Sequence, residues 1–257
     1  MNAIVESLPR VSLPRIYALE GKHEFLRLLR APSFAVPTLL FPAMFYLLFA
    51  VLFARNTSGD FHANVYLLAT YGVFGVMMPG LFGFGVSVAM DRERGWLTLK
   101  RAQPMPAGAY LASKLAMAML FAATIFAILA LLATTIGGVT LPLAAWLRLF
   151  LVEIFGVLPF CAIGLCVATL VSGQAAPAVI NVIYLPMSFL SGLWMPLSVL
   201  PPLMREIAPL WPAYHLGQLA LSAVGQPSEG STLIHILALA ATTAIFLAVA
   251  RRRFARA

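Results

Sequence analysis

Six long apolar runs fix the class of this chain before any motif is read. They fall at roughly 33–54, 63–90, 110–136, 144–171, 177–197 and 231–250, and about 20 mostly apolar residues in a helix suffice to cross a ~30 Å hydrocarbon core. Little polar sequence separates them. Of 257 residues, 61% are hydrophobic and 10% charged, where a soluble domain carries about 25% charged residues. That leaves too little polar surface to cover a water-soluble globule, which excludes a soluble enzyme, a disordered chain and a nucleic-acid-binding domain. The second and third runs are longer than a span needs, so they should tilt, kink or project from the membrane. Pro37, Pro42, Pro79, Pro159 and Pro186 lie inside runs, which in lipid implies kinks packed against neighbouring helices.

The charge pattern orients these spans. The net charge is +8, and 14 of the 17 Lys and Arg fall before the first run, between the second and third with Lys114 just inside the third, or after the sixth. The opposite connections hold only Arg55 and Arg205, with Arg148 near the start of the fourth run. The positive-inside rule then places both termini in the cytoplasm and makes the number of crossings even. The expected organisation is a cytoplasmic N-terminal segment over 1–32, a six-helix transmembrane domain over 33–250, and a basic tail over 251–257.

No apolar stretch of the secretory-signal kind follows the first basic residues. Residues 15–31 instead read as an amphipathic helix. At 100° per residue, Glu20, His23, Glu24, Arg27 and Arg30 share one face and Leu19, Phe25, Leu26 and Leu29 the other. Such a helix is expected along the cytoplasmic interface, against the lipid bilayer. Trp146 and Trp194 near span ends, and Trp96 and Trp211 in connections, suit the headgroup region.

Two connections are longer than turns. The inner one contains Asp91-Arg92-Glu93-Arg94-Gly95-Trp96-Leu97, then Leu99-Lys100-Arg101 and Pro104. Gly95 breaks the approach from the second run, Trp96 to Ala102 can make about two turns, and Pro104 and Pro106 stop it. The outcome is a short helix across the membrane surface, suited to receive a push from a soluble partner, although on charge alone a loop that only anchors topology is the stronger reading. The outer connection, from about Leu197 to Gly230, carries five prolines around two apolar stretches, Leu203–Leu210 and Tyr214–Val224. Both are too short to span, and they read as re-entrant or interfacial helices buried at their ends by protein.

Catalytic sets are near misses. His23-Glu24 lacks the second His of a zinc-protease motif, and no P-loop occurs. Gly85-Val86-Ser87-Val88-Ala89 resembles a serine elbow but ends in Ala. A rhomboid-type intramembrane protease would pair Ser87 with a later His such as His235, but the expected topology puts these on opposite sides of the bilayer. Cys161 and Cys166, five apart, suit buried thiols better than a metal pair. Glu153 is the acidic residue deep inside a run. It either lines a substrate path or gate or makes a structural bond within the bundle. Asn181 is similar and cheaper to bury. A proton-coupled secondary transporter usually needs more intramembrane carboxylates than one, and a channel or secondary carrier would need no ATPase.

Glu93-Arg94-Gly95-Trp96-Leu97-Thr98-Leu99-Lys100-Arg101 followed by Pro104 resembles the E-x-G-T-L-x-x-L…P signature that leads into the coupling helix of permease subunits of type-two ABC exporters. The layout of the whole chain is similar to theirs, while the residue-level match is confined to this segment. Trp96 departs from the family's Thr, which removes a helix cap. The resemblance implies an all-α membrane protein with six transmembrane helices, working as a homodimer or with a related permease. It implies a separate ABC ATPase, two copies per complex, that carries ATP and Mg, so this chain needs no cofactor of its own and is no enzyme. Residues 91–104 would seat in the ATPase, with Glu20, Glu24, Arg27 and Arg30 on the buttressing helix. Met77, Met78, Phe82, Asn181 and Met187 would lie near a hydrophobic or amphipathic substrate, with Glu153 as a further gate candidate. A bacterial inner membrane is the implied location, and nucleic acid has no part.

Overall fold

A computed structural model describes residues 12–53, 57–58, 61–96, 99 and 108–254. Leu97, Lys100, Arg101 and Pro104 of the inner connection lie outside the described residues. Among the described residues the fold is helical, apart from a two-residue antiparallel pairing of β1 (Thr57–Ser58) with β2 (Phe61–His62) in the connection between the first two apolar runs.

Helix α1 (Leu13–Leu29) precedes α2 (Pro32–Phe53). The second apolar run forms one continuous helical rod, Ala63–Glu93, made of α3 (Ala63–Met78), a π-helical stretch over Pro79–Val86, and α4 (Ser87–Glu93). Pro79 has no amide to donate back along the helix and crowds the carbonyl four residues earlier. The backbone widens into the π pattern from that residue onward, a local effect that hydropathy does not register. Then follow α5 (Ala109–Thr135), α6 (Leu143–Leu170), α7 (Ala176–Leu190), the short α8 (Pro202–Ile207), α9 (Pro212–Ala223) and α10 (Thr232–Phe254).

Five of these helical runs are long and apolar enough to cross a membrane: Pro32–Ala50, Ala63–Glu93, Ala109–Thr135, Leu143–Leu170 and Thr232–Arg253. The fifth apolar run, expected as a span over 177–197, departs from that pattern. Its helix, α7, has 15 residues, about 22 Å at 1.5 Å per residue, and the chain turns at Ser191 and Gly192 before Pro196. The outer connection forms α8 and α9 close to where two apolar stretches were expected. Here α9 is largely buried against α3, α6 and α10 rather than lying on a surface.

The rod over 63–93 is the axis of the bundle. It packs on α2, α5, α6, α7 and α9, and Tyr71, Phe74, Met77 and Leu81 are fully enclosed. Helices in lipid gain little from hydrophobic transfer, so close packing has to hold them. Two devices supply it. Near α2 and the α7–α8 connection the rings of Phe45, Tyr71, Phe74, Tyr184 and Trp194 interlock, with Phe74 and Tyr184 centroids 5.2 Å apart. Trp194 is thus drawn into this cluster. At the π segment, α6 comes so near that a Cβ on Gly85 would sit 2.6 Å from the Gly164 Cα.

Candidate functional site

The inner connection and α1 meet around one buried ammonium. Lys114, in the second turn of α5, has no exposed side-chain surface. Its Nζ donates to Glu24 Oε1 at 2.5 Å, to Ser87 Oγ at 2.9 Å and reaches Asp91 Oδ2 at 2.9 Å. An ammonium has three protons to donate, and here each has an acceptor. Arg27 binds Glu24 at 2.6 Å and lies 3.6 Å from Asp91, and the Tyr110 hydroxyl donates to Asp91 Oδ2 at 2.9 Å. Among the described residues, two cations and two carboxylates thus form a network that ties α1, α4 and α5 together. Phe25 on α1 adds an apolar clamp, its ring 4.9 Å from Phe121 on α5.

This alters how α1 reads. Glu24, expected on a solvated polar face, turns inward because Lys114 supplies a countercharge there. Gly21 is buried, with only 3.3 Å between the position its Cβ would take and the Ala116 Cβ. Glu20 is half-buried, while Arg27 and Arg30 stay exposed. In the 91–99 segment the residues divide in the same way. Asp91 is buried, and Arg92 donates to the Val171 carbonyl at 2.7 Å, anchoring α4 to the end of α6. Glu93, Arg94, Gly95, Trp96 and Leu99 are exposed. Gly95 adopts φ +71°, a left-handed conformation that ends the helix at little strain. A cavity of about 320 Å³ opens beside the network, lined by Glu20, His23, Arg27 and Trp96 among others.

Sequence reasoning took Lys114 as one more orienting charge. Its burial was not foreseeable, because its partners lie 90, 27 and 23 positions away. The same network answers the protease reading. Ser87 pairs with Lys114, and its hydroxyl donates to the Phe84 carbonyl at 3.1 Å. An ammonium clamped by two carboxylates has no lone pair with which to activate a serine. His235 is engaged elsewhere, with His215 and the Glu229 carbonyl. Ser87→Ala is therefore expected to cost about 2 kcal/mol, because it removes two hydrogen bonds and leaves one proton of a buried ammonium without its acceptor, and to leave the fold and transport intact. Thermal unfolding of the purified variant checks it.

The remaining candidates lie deeper. Met77, Met78, Met187 and Glu153 are buried, Phe82 is half-buried, and Asn181 is exposed. The Glu153 carboxyl fits against Gly72 on α3, where a Cβ would collide with it. Neither of its oxygens has a hydrogen-bond partner among the described residues. Asn181 shares an exposed apolar face of α7 with Val182 and Leu185, which are 74% and 47% exposed. In lipid a carboxamide on such a face is expensive, so the face suits a protein partner or a polar path. Among the described residues, no cluster of three or more His, Cys, Asp or Glu could hold a metal.

The chain is similar to known proteins at the level of a family and of a named relative. The family model described as "ABC-2 type transporter" matches residues 19–224, which takes in the helices from α1 to α9 and the whole Lys114 network. A protein of Bacillus subtilis (strain 168) named "Putative transport permease YvfS" is 28% identical over 215 residues, 83% of this chain and 88% of that protein.

Proposed function

Because the chain belongs to the ABC-2 type transporter family, a family of multi-pass membrane transport subunits, we propose that it is the permease half of an ATP-driven exporter. Its ATPase is a separate polypeptide carrying ATP and Mg, two copies per complex, and two permeases pair in the bacterial inner membrane. The cargo is hydrophobic or amphipathic, in keeping with Met77, Met78, Phe82 and Met187 on the helices assigned to the path.

The observation that carries this reading is the buried network at Lys114. It joins α1 and the root of the coupling segment to the central rod, so a push on the exposed Glu93, Arg94, Trp96 and Leu99 reaches Ala63–Glu93 without slack. Alternating access follows if ATP-driven closure of the motor shifts this joint and the rod with it. In this scheme α7 completes the sixth crossing in a kinked form, both termini are cytoplasmic, and α8 and α9 form a re-entrant outer cap. The exposed α7 face bearing Asn181 meets the second permease. Glu153 acts as a gate element above the path.

The test uses the permease co-expressed with its ATPase. Asp91 and Arg92 are engaged internally, so the contact is probed at Glu93, Arg94, Trp96 and Leu99. Trp96→Ala should weaken association by about 2 kcal/mol, roughly 30-fold, the scale of a central aromatic contact. Glu93→Lys with Arg94→Glu should lower it further. Full recovery of the complex on pull-down of both variants would refute the coupling assignment.

A further inference from the structure

Two histidines in the outer cap present a proton-counting problem with one solution. His215 lies on α9 and His235 at the start of α10, and their Nδ1 atoms are 2.9 Å apart. His215 Nε2 lies 2.9 Å from the Pro209 carbonyl, and His235 Nε2 lies 2.6 Å from the Glu229 carbonyl. A carbonyl oxygen can only accept, so both Nε2 atoms must carry hydrogen. A neutral imidazole has one N–H. Two neutral rings would therefore bring two bare Nδ1 lone pairs face to face, with nothing between them. Two fully protonated rings would face N–H against N–H and cation against cation. The contact closes only when the four nitrogens hold three protons.

We propose that His215 and His235 bind a single proton between their Nδ1 atoms, and that this proton fastens the 225–231 connection to α9. The connection walls a cavity of about 380 Å³ that also touches Ser191, Gln218 and Leu221. It is held by the Glu229 amide donating to Gln218 Oε1 at 2.7 Å, the Tyr214 hydroxyl donating to Glu229 Oε2 at 3.1 Å, and the bond from His235. Losing the proton-dependent clasp frees one of the ties at Glu229, while Gln226 stays bonded to Leu221 and His62. The 2.9 Å separation selects a proton over a zinc ion. Two nitrogens each about 2.1 Å from zinc at this spacing would subtend about 90°, short of the tetrahedral angle, whereas 2.9 Å is an ordinary N–H···N distance.

The surroundings bring few competing charges. Among the described residues, Tyr214 and Glu229 are the titratable groups in ring or hydrogen-bond contact with the pair or its anchors. On α3 the Tyr66 and Tyr71 hydroxyls bond to Gly192 and Trp194 carbonyls. On α6, Glu153 lies against Gly72. Arg205 and Glu206 on α8 are exposed and bond to neither ring. Burial lowers the His215 pKa from its ordinary value, the bond to Pro209 opposes this, and the neighbouring His235 lowers it further. That lowering opposes a second proton on the pair, so the stabilisation is present above the value at which the second proton binds and is lost as pH falls through it. On the alkaline side the clasp is lost when the shared proton leaves.

The inference stands on the hydrogen-bond geometry and does not require the transport reading. Histidine-specific 15N labelling of the full chain in lipid nanodiscs reads the protonation state of each ring directly. The expected spectrum near neutral pH has both Nε2 atoms protonated and one proton on the Nδ1 pair. Both Nδ1 atoms bare, or either Nε2 bare, overturns the proposal, and this readout uses the native sequence. Thermal unfolding between about pH 4 and pH 9 should pass through a maximum. His215→Gln, His235→Gln and the double variant should each flatten it to the same extent. A native-like profile in either single variant overturns the clasp. So does a rise in stability on adding zinc that a chelator reverses, since that assigns the pair to a metal.

Discussion

Lys114→Met is expected to be the most damaging single substitution at the end of the bundle where α1 packs. It leaves Glu24 and Asp91 facing each other across the space where an ammonium donated to both, with Arg27 as the remaining cation. Breaking a buried pair by removing one partner costs about 3–5 kcal/mol, against a typical total stability of about 5–15 kcal/mol. Helix α1 should come away from α5 first, which limited proteolysis at residues 13–29 would detect. A second variant separates charge from shape. Lys114→Met combined with Glu24→Gln and Asp91→Asn removes the stranded charges while keeping side-chain volume close to native. It should recover most of the lost stability, because neutral replacement of a buried ionic set is often near neutral in energy. If the triple variant melts no higher than Lys114→Met, the charge argument fails and packing of the lysine stem dominates. If it folds but no longer supports transport, the network is a mechanical joint as well as a structural one.

What could be read from the sequence followed the range of the signal. Hydropathy is a sum over about 20 neighbouring residues, so the five long helical runs were legible, as were the limits of α9 and the break at Gly95. The π segment was not, because a periodicity of 3.6 residues assumes that every amide is present, and Pro79 lacks one. Nor was the early end of α7, where Ser191 and Gly192 turn the chain inside a run that remains apolar to Leu197. Pairings between distant positions lay beyond reach. Lys114 and Asp91 were both noticed as charges, yet only the fold brings them to 2.9 Å. Glu153 stood out as a lone intramembrane acid, but nothing in the sequence singled out Gly72 as the residue that makes room for it. His235 was weighed as a catalytic base for Ser87, and His215 was not considered, since two histidines 20 positions apart carry no joint signal.

The second large effect is expected at Gly85, and comparison with Gly72 shows why its size is not set by the glycine alone. A Cβ at Gly85 would fall 2.6 Å from the Gly164 Cα and 2.9 Å from its carbonyl carbon and oxygen. These are backbone atoms of a buried helix, and Gly164 has no side chain left to remove. The only response to Gly85→Ala is for α6 to move off the π segment, which also loosens the contact of Gly80 with Phe160. Overpacking of a tight core costs about 1–3 kcal/mol and sometimes more, and a site without a movable neighbour belongs at the upper end. Gly72→Ala meets the Glu153 carboxyl instead, the far end of a flexible side chain. Its cost is expected to be smaller, and Glu153→Ala in the same molecule should relieve it. Unfolding of Gly85→Ala, Gly72→Ala, Glu153→Ala and the Gly72→Ala/Glu153→Ala pair in one lipid system makes the comparison. A favourable coupling between positions 72 and 153, together with a Gly85→Ala loss that exceeds that of Gly72→Ala, is the expected pattern. Equal losses at the two glycines would mean that the bundle yields at the π segment, and that the close approach of residues 85 and 164 does not hold the central rod in place.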